Sequence, residues 1–394
     1  MAEPAQHIPD SLPRGHFSEL SQLIEGGIEQ ELFPCAVCEL RHRGELLWTS
    51  AQGNLWTTED EDSSPQANEG TVFDVDRLSA SLVTTTLMMH FVSHGRIRLD
   101  DLVARHVHGF GVHGKSPISI RQVLSHAAGF PTTLPFREEL EKSQGVSSFS
   151  MSGGRGASQY VSNRINRSKL RAKPGSGQLK SDVSYFLLGH LLEVVTGMSL
   201  SKAAEKYLFA PLGLRGIGYI NLQQLCRGHV SIDSSLVAPT GECDWRLRFL
   251  QGEVSDETTW MMGGCSGAAG IFSTASDLSF LCHLLIECFH GRSEFISQDV
   301  ISEFWGISGG GSDELRLGWD GARELVGSKI SSVLPYEVSA VGKTGCAIWI
   351  RPEKEWTATF LSNRFDPVSS MKKMSTFWSK FFERASQLME RVSG

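Results

Sequence analysis

The sequence is poor in basic charge: 37 Lys and Arg stand against 44 Asp and Glu, a formal net charge of −7. Binding a phosphate backbone needs a basic face, so this balance argues against nucleic acid as the main partner. Long apolar runs are also missing. None approaches the ~20 residues that span a bilayer, and the longest, Tyr185 to Val195, is broken by His190 and Glu193. The opening residues, Met1 to Pro9, carry neither a basic segment nor an apolar core, so no secretory signal is read there. The expectation is a cytoplasmic protein with no membrane partner. Its eight cysteines are then expected as reduced thiols. Metal-ligand patterns are weak. His106, His108 and His113 lie in a Gly-rich segment without cysteine or paired carboxylates. Cys35 and Cys38 fall in a predicted strand, where positions three apart face opposite sides. No metal or cofactor is expected, and no internal repeat is visible.

What is present is globular. Of the 394 residues, 40% are hydrophobic and 21% charged, which excludes whole-chain disorder and leaves room for two or three packed units or one large fold. Residues 16–32 read as an amphipathic helix, followed by strands over 35–42 and 46–50 joined at Arg43-Gly44. A polar loop follows over 57–70, and a buried helix over 82–92. Further helices are read at 120–126, 183–195, 199–208 and 277–289, and a loop at 143–158. The last third alternates as strands at 315–319, 337–341, 347–350 and 356–361. A final helix carries Met374, Phe377, Phe381, Ala385 and Leu388 on one stripe. The first and last strands are expected to share one antiparallel sheet. Residues 1–72 with 307–394 then form a sheet-and-helix region, and 73–306 a mostly helical one, within a single continuous unit.

Several segments together resemble the serine β-lactamase and penicillin-binding-protein-like hydrolases. They include 95–101 (GRIRLDD), 123–131 (VLSHAAGFP), 188–198 (LGHLLEVVTGM), 270–278 (GIFSTASDL) and 342–345 (GKTG). The resemblance covers roughly residues 34–364 and implies an α/β (α+β) fold of the β-lactamase/transpeptidase type. It also implies three motifs around one cleft. A serine opens a buried helix with a lysine one turn later, a tyrosine sits on a second loop, and a Lys/His-Thr-Gly strand completes the site. The serine and lysine must be three residues apart to share a helix face.

Two of these motifs are altered here. Where Ser-x-x-Lys is expected the chain reads Arg77-Leu78-Ser79-Ala80, so Arg77 stands for the nucleophile and Ala80 for the base. The tyrosine motif reads Lys180-Ser181-Asp182, and only Lys343-Thr344-Gly345, followed by Cys346, stands intact. Sliding the register to Ser79 or Ser81 supplies no base. Ser199-Leu200-Ser201-Lys202 and Ser369-Ser370-Met371-Lys372 do not precede the buried helix, and no Gly-x-Ser-x-Gly string occurs. The expectation is a catalytically silent relative, without catalytic residues, whose cleft gathers Arg77, Lys180 and Lys343 beside Asp182, Thr344, Gly345 and Cys346. Such a cleft would bind an anionic small molecule or peptide. Alternatively, Arg77 pairs with Asp182 and plugs the site in a structural partner, or a rewired hydrolase uses Ser79, Ser181 or Cys346 with Lys180 as base.

Overall fold

Strand β1 (Cys35–His42) turns back on β2 (Glu45–Gly53) through Arg43 and Gly44, both at positive φ (52° and 82°). That left-handed pair is what a two-residue hairpin loop requires. In this computed structural model, which describes residues 16–56, 64–144, 155–306, 316–322, 325, 336–364 and 371–393, four later strands join them. These are β3 (Asp320–Gly321), β4 (Val338–Val341), β5 (Ala347–Arg351) and β6 (Trp356–Ser362). The sheet is antiparallel throughout, in the order β2-β1-β6-β5-β4-β3.

Alternation along the strands separates two cores. Cys35 and Val37 of β1, with Ile348 and Ile350 of β5, face a large core shared with the helices of the middle of the chain. Ala36, Cys38 and Leu40, with Ala347 and Trp349, face a second core under α1 (Ser18–Glu29) and the C-terminal helix Met371–Ser393. Cys35 and Cys38 therefore lie on opposite sides of the sheet. The predicted C-terminal stripe from Met374 to Leu388 is buried in the second core. A buried pair links sheet and helix: Arg351 Nε donates to Glu337 at 2.7 Å, and Nη1 donates to Ser386.

Several predicted boundaries move. Residues 316–319 are irregular rather than a strand, because Gly318 sits at φ +79°, and the strand is the two-residue β3; residue 315 lies outside the described residues. Residues 155–158 belong to the helix Arg155–Arg167, not to a loop, while 145–154 lie outside the described residues, as do 57–63 of the predicted polar loop. The buried helix, α2 (Ala80–Ser93), starts earlier and opens with a wider π turn over Ala80–Thr85. The helix predicted at 199–208 splits into Leu200–Ala204 and a π turn, Glu205–Phe209. A second small sheet pairs Phe73–Asp74 and Ile217–Tyr219 with Ile271–Ser273. Among the described residues no single helix is long and apolar enough to cross a membrane.

Candidate functional site

Four segments supply most of the lining of one cleft of about 250 Å³, with His126, Asp256 and Ala268-Ala269 added from others. They are the Asp76-Arg77 turn entering α2, the start of α3 (Asp182–Thr196) with Lys180 and Ser181, residues Gly318 to Asp320, and the end of β4. Its floor is fixed by hydroxyls. Ser81 Oγ and Tyr185 OH each donate to the Gly318 carbonyl at 2.9 Å. Thr85 Oγ1 donates to Ala80 O, five residues back, which fits the wide turn there.

The altered motif positions come together. Arg77 Nη2 donates to Asp182 Oδ2 at 2.7 Å, with 43% and 34% of the two side chains exposed. Burial pushes the Asp182 carboxyl up, against the pull of Arg77. Ala80 lines the cleft one turn after Arg77. Lys180 pairs with Asp320 at 2.9 Å. This corrects the expected cluster of mutually repelling cations: three cations lining the cleft (Arg77, Lys180, Lys343) meet four carboxylates (Asp76, Asp182, Asp256, Asp320). Both pairs are partly exposed, so each is worth only about 0–1 kcal/mol. Among the described residues, Lys343 has no ion-pair partner, and the guanidinium nitrogens of Arg77 other than Nη2 make no hydrogen bond.

The third motif is not where a strand motif should be. Lys343-Thr344-Gly345 forms the turn between β4 and β5, closed by Gly342 N to Cys346 O at 2.8 Å. Gly345 sits at φ +99°, and a Cβ there would lie 2.3 Å from Ser362 Oγ, so glycine is a turn requirement at this position. The strand residues lining the cleft are Ala340 and Val341, followed by Gly342. Lys343 still lines the cleft, whereas Thr344 lines a second cavity and Gly345 and Cys346 line neither. Cys346 is fully buried; its thiol points to the Ser362 and Asp74 carbonyls, and burial pushes it up to about 12.

The alternative nucleophiles are committed elsewhere. Ser79 is buried and accepts from Ile271 N, and Ser181 Oγ donates to Pro131 O at 2.5 Å. Sequence reasoning missed Asp320, Gly318, Tyr185 and His126 as cleft residues. His126 has φ +55° and accepts from Ser181 N at 3.2 Å, and burial lowers it to about 4. The second cavity, of about 540 Å³, adjoins the cleft and shares Asp76, Asp182, Asp256 and Lys343 with it. Among the described residues no group of His, Cys, Asp and Glu could hold a metal ion.

The family model named Beta-lactamase matches residues 20–379. A protein of Escherichia coli K12, provisionally named a D-alanyl-D-alanine carboxypeptidase, is 26% identical over 324 residues, covering 78% of this chain and 73% of its own. The hydrolase EstCE1, with promiscuous acyltransferase activity, superposes with TM-score 0.70 at 18% identity, covering 97% of this chain and 99% of that one. An octameric penicillin-binding protein homologue from Pyrococcus abyssi gives TM-score 0.68 at 19% identity, over 94% and 77%. A match spanning nearly the whole chain, on the fold the sequence resembled, makes this protein a member of the β-lactamase-like serine hydrolase family.

Proposed function

We propose that this chain is a non-catalytic member of its family whose cleft recognises a small carboxylate-bearing molecule or peptide. The observation that carries the reading is the Arg77–Asp182 pair just before α2, at the residues that the motif reading assigns to the nucleophile (Arg77) and, one turn on, the base (Ala80). The serine hydroxyls lining the cleft donate to backbone carbonyls, Ser81 to Gly318 and Ser181 to Pro131. The cleft lysine that would have to serve as base, Lys180, is paired with Asp320 at 2.9 Å. Removing a nucleophile or base from a triad hydrolase costs several orders of magnitude in rate. Lys343 and the remaining donors of Arg77 are the groups suited to a ligand carboxylate, the guanidinium offering a planar fork.

The relatives' carboxypeptidase names favour a peptide with a free C-terminus as the probe. N-acetyl-D-alanyl-D-alanine and its C-terminal amide, titrated calorimetrically, test the reading. The acid should bind and the amide should lose roughly tenfold or more, the scale of one charge-assisted hydrogen bond. Arg77→Ala or Lys343→Ala should remove that difference. Equal affinity for acid and amide, or an unchanged ratio in both variants, contradicts carboxylate recognition.

A further inference from the structure

One stretch of this acidic protein carries charge of a single sign. Residues 142–181 hold eight Lys and Arg and no Asp or Glu, in a chain whose formal net charge is −7. Two of the eight have acidic partners: Arg164 pairs with Glu139 at 2.6 Å and Lys180 with Asp320 at 2.9 Å. The four that crowd most closely, Arg167, Lys169, Arg171 and Lys173, stand at alternate positions just after the helix Arg155–Arg167 and at its end. All four are exposed, and among the described residues none has an ion-pair partner.

The backbone that carries them is fixed to the edge of the cleft. Arg171 N donates to Gly129 O at 2.8 Å, Gly175 N to Ala127 O at 2.8 Å and Leu179 N to His126 O at 2.9 Å. Gly129, at φ +79°, permits the close approach, since a Cβ there would lie 2.2 Å from the Ala172 carbonyl oxygen. His126 and Lys180, at the far end of this seam, both line the cleft. On the other flank Lys115 is fully buried, and its Nζ donates to Ser168 O at 2.5 Å. A fifth cation thus sits at the carbonyl between Arg167 and Lys169, with no acidic partner among the described residues. Cations held together on one short segment raise the local potential for an anion carrying several charges.

The residue types select among polyanions. Residues 163–181 contain no Phe, Tyr or Trp on which bases would stack, and the rest of the chain is acidic, which repels a long phosphate backbone. Leu179 is the one large apolar side chain exposed there, too little to anchor on a bilayer. A short run of carboxylates on flexible side chains meets guanidinium and ammonium groups over this length without crossing the acidic remainder. We propose that Arg167, Lys169, Arg171 and Lys173 form a docking strip for an acidic segment of a partner polypeptide, laid along the edge of the cleft. The strip goes beyond the reading of the cleft and stands whether or not the cleft takes a carboxylate.

The probe is the peptide N-acetyl-Glu-Asp-Glu-Asp-Glu-Asp-amide, which offers the cleft no terminal carboxylate. Titrated into the full chain and followed by backbone amide shifts in NMR, it should move the amides of residues 167–173. Its affinity should fall severalfold between about 50 and 300 mM salt, because exposed pairs are screened. Lys169→Gln, Arg171→Gln and Lys173→Gln combined should weaken it roughly tenfold, the scale of three exposed ion pairs. The same charge removed from exposed lysines elsewhere, by Lys202→Gln, Lys354→Gln and Lys380→Gln, should leave the affinity within about twofold. No binding, or an equal loss in both triple variants, overturns the strip. Tighter binding of a thymidine hexanucleotide than of the peptide assigns the surface to nucleic acid and overturns it as well.

Discussion

Gly318→Ala probes how the cleft floor is held. Gly318 has φ +79°, and a Cβ there would lie 2.3 Å from Thr85 Oγ1 and 2.6 Å from Thr85 Cγ2. The left-handed backbone alone costs an alanine about 1–2 kcal/mol. Thr85 is buried in α2 and β-branched, so it has few rotamers with which to yield. The overlap must then be relieved by moving the Gly318 carbonyl away from Ser81 and Tyr185, and each of those hydrogen bonds is worth about 0.5–1.5 kcal/mol. The total is roughly 2–5 kcal/mol, a large share of a typical folding free energy of about 5–15 kcal/mol. Urea denaturation followed by far-UV circular dichroism measures it through the shift in midpoint at constant slope. Adding Thr85→Ala to Gly318→Ala should cost less than the two changes summed, because it removes the atoms that collide. A Gly318→Ala midpoint equivalent to less than ~1 kcal/mol would refute the account of the floor.

Other expectations follow from the same geometry. A double-mutant cycle of Arg77→Ala and Asp182→Asn, read by thermal denaturation, should give a coupling of no more than about 1 kcal/mol, because the pair is partly exposed; a coupling of several kcal/mol would contradict that. Glu337→Gln removes the nearer carboxylate from buried Arg351, leaving Glu390 at 3.7 Å and the Ser386 hydroxyl, and should cost about 1.5–3 kcal/mol in urea denaturation. The pH dependence of stability contains two opposed contributions. His126 is held neutral down to about 4 when folded but takes a proton near 6.5 when unfolded, so it removes stability as pH falls through that interval, by about 3 kcal/mol. Asp74, raised from 3.8 to about 6, does the reverse, adding stability as pH falls from 6 toward 3.8. Relative to wild type, His126→Asn should therefore gain stability on acidification and Asp74→Asn should lose it; parallel pH profiles for all three proteins would contradict both assignments.

The elements that position the cleft were legible where the pattern had a single period. β1, the hairpin turn at Arg43-Gly44 and the C-terminal stripe from Met374 to Leu388 follow directly from alternation or helical spacing. Arg77, Ala80 and Lys180 were singled out from segments of recognisable spacing, and the structure brings all three to the lining of one cleft. What could not be read was pairing across distance. Asp320 sits 140 positions after Lys180 in a segment whose strand is only two residues long, so no periodicity marks it as a partner. The Lys343-Thr344-Gly345 string misled for a related reason. A tripeptide has the same letters on a strand or in a turn, and here the Gly342 N to Cys346 O bond and the positive φ of Gly345 make it a turn. Asp74 and Asp76 gave no signal either, since no local spacing marks the Ser255 and Lys343 amides as their partners.

Intact-mass spectrometry after incubation with a fluorophosphonate and, separately, with a penicillin tests the central claim most directly. The account predicts no adduct on the wild-type chain, and acylation of the Arg77→Ser, Ala80→Lys, Lys180→Tyr triple variant. A stoichiometric adduct on a cleft residue of the wild type would contradict it.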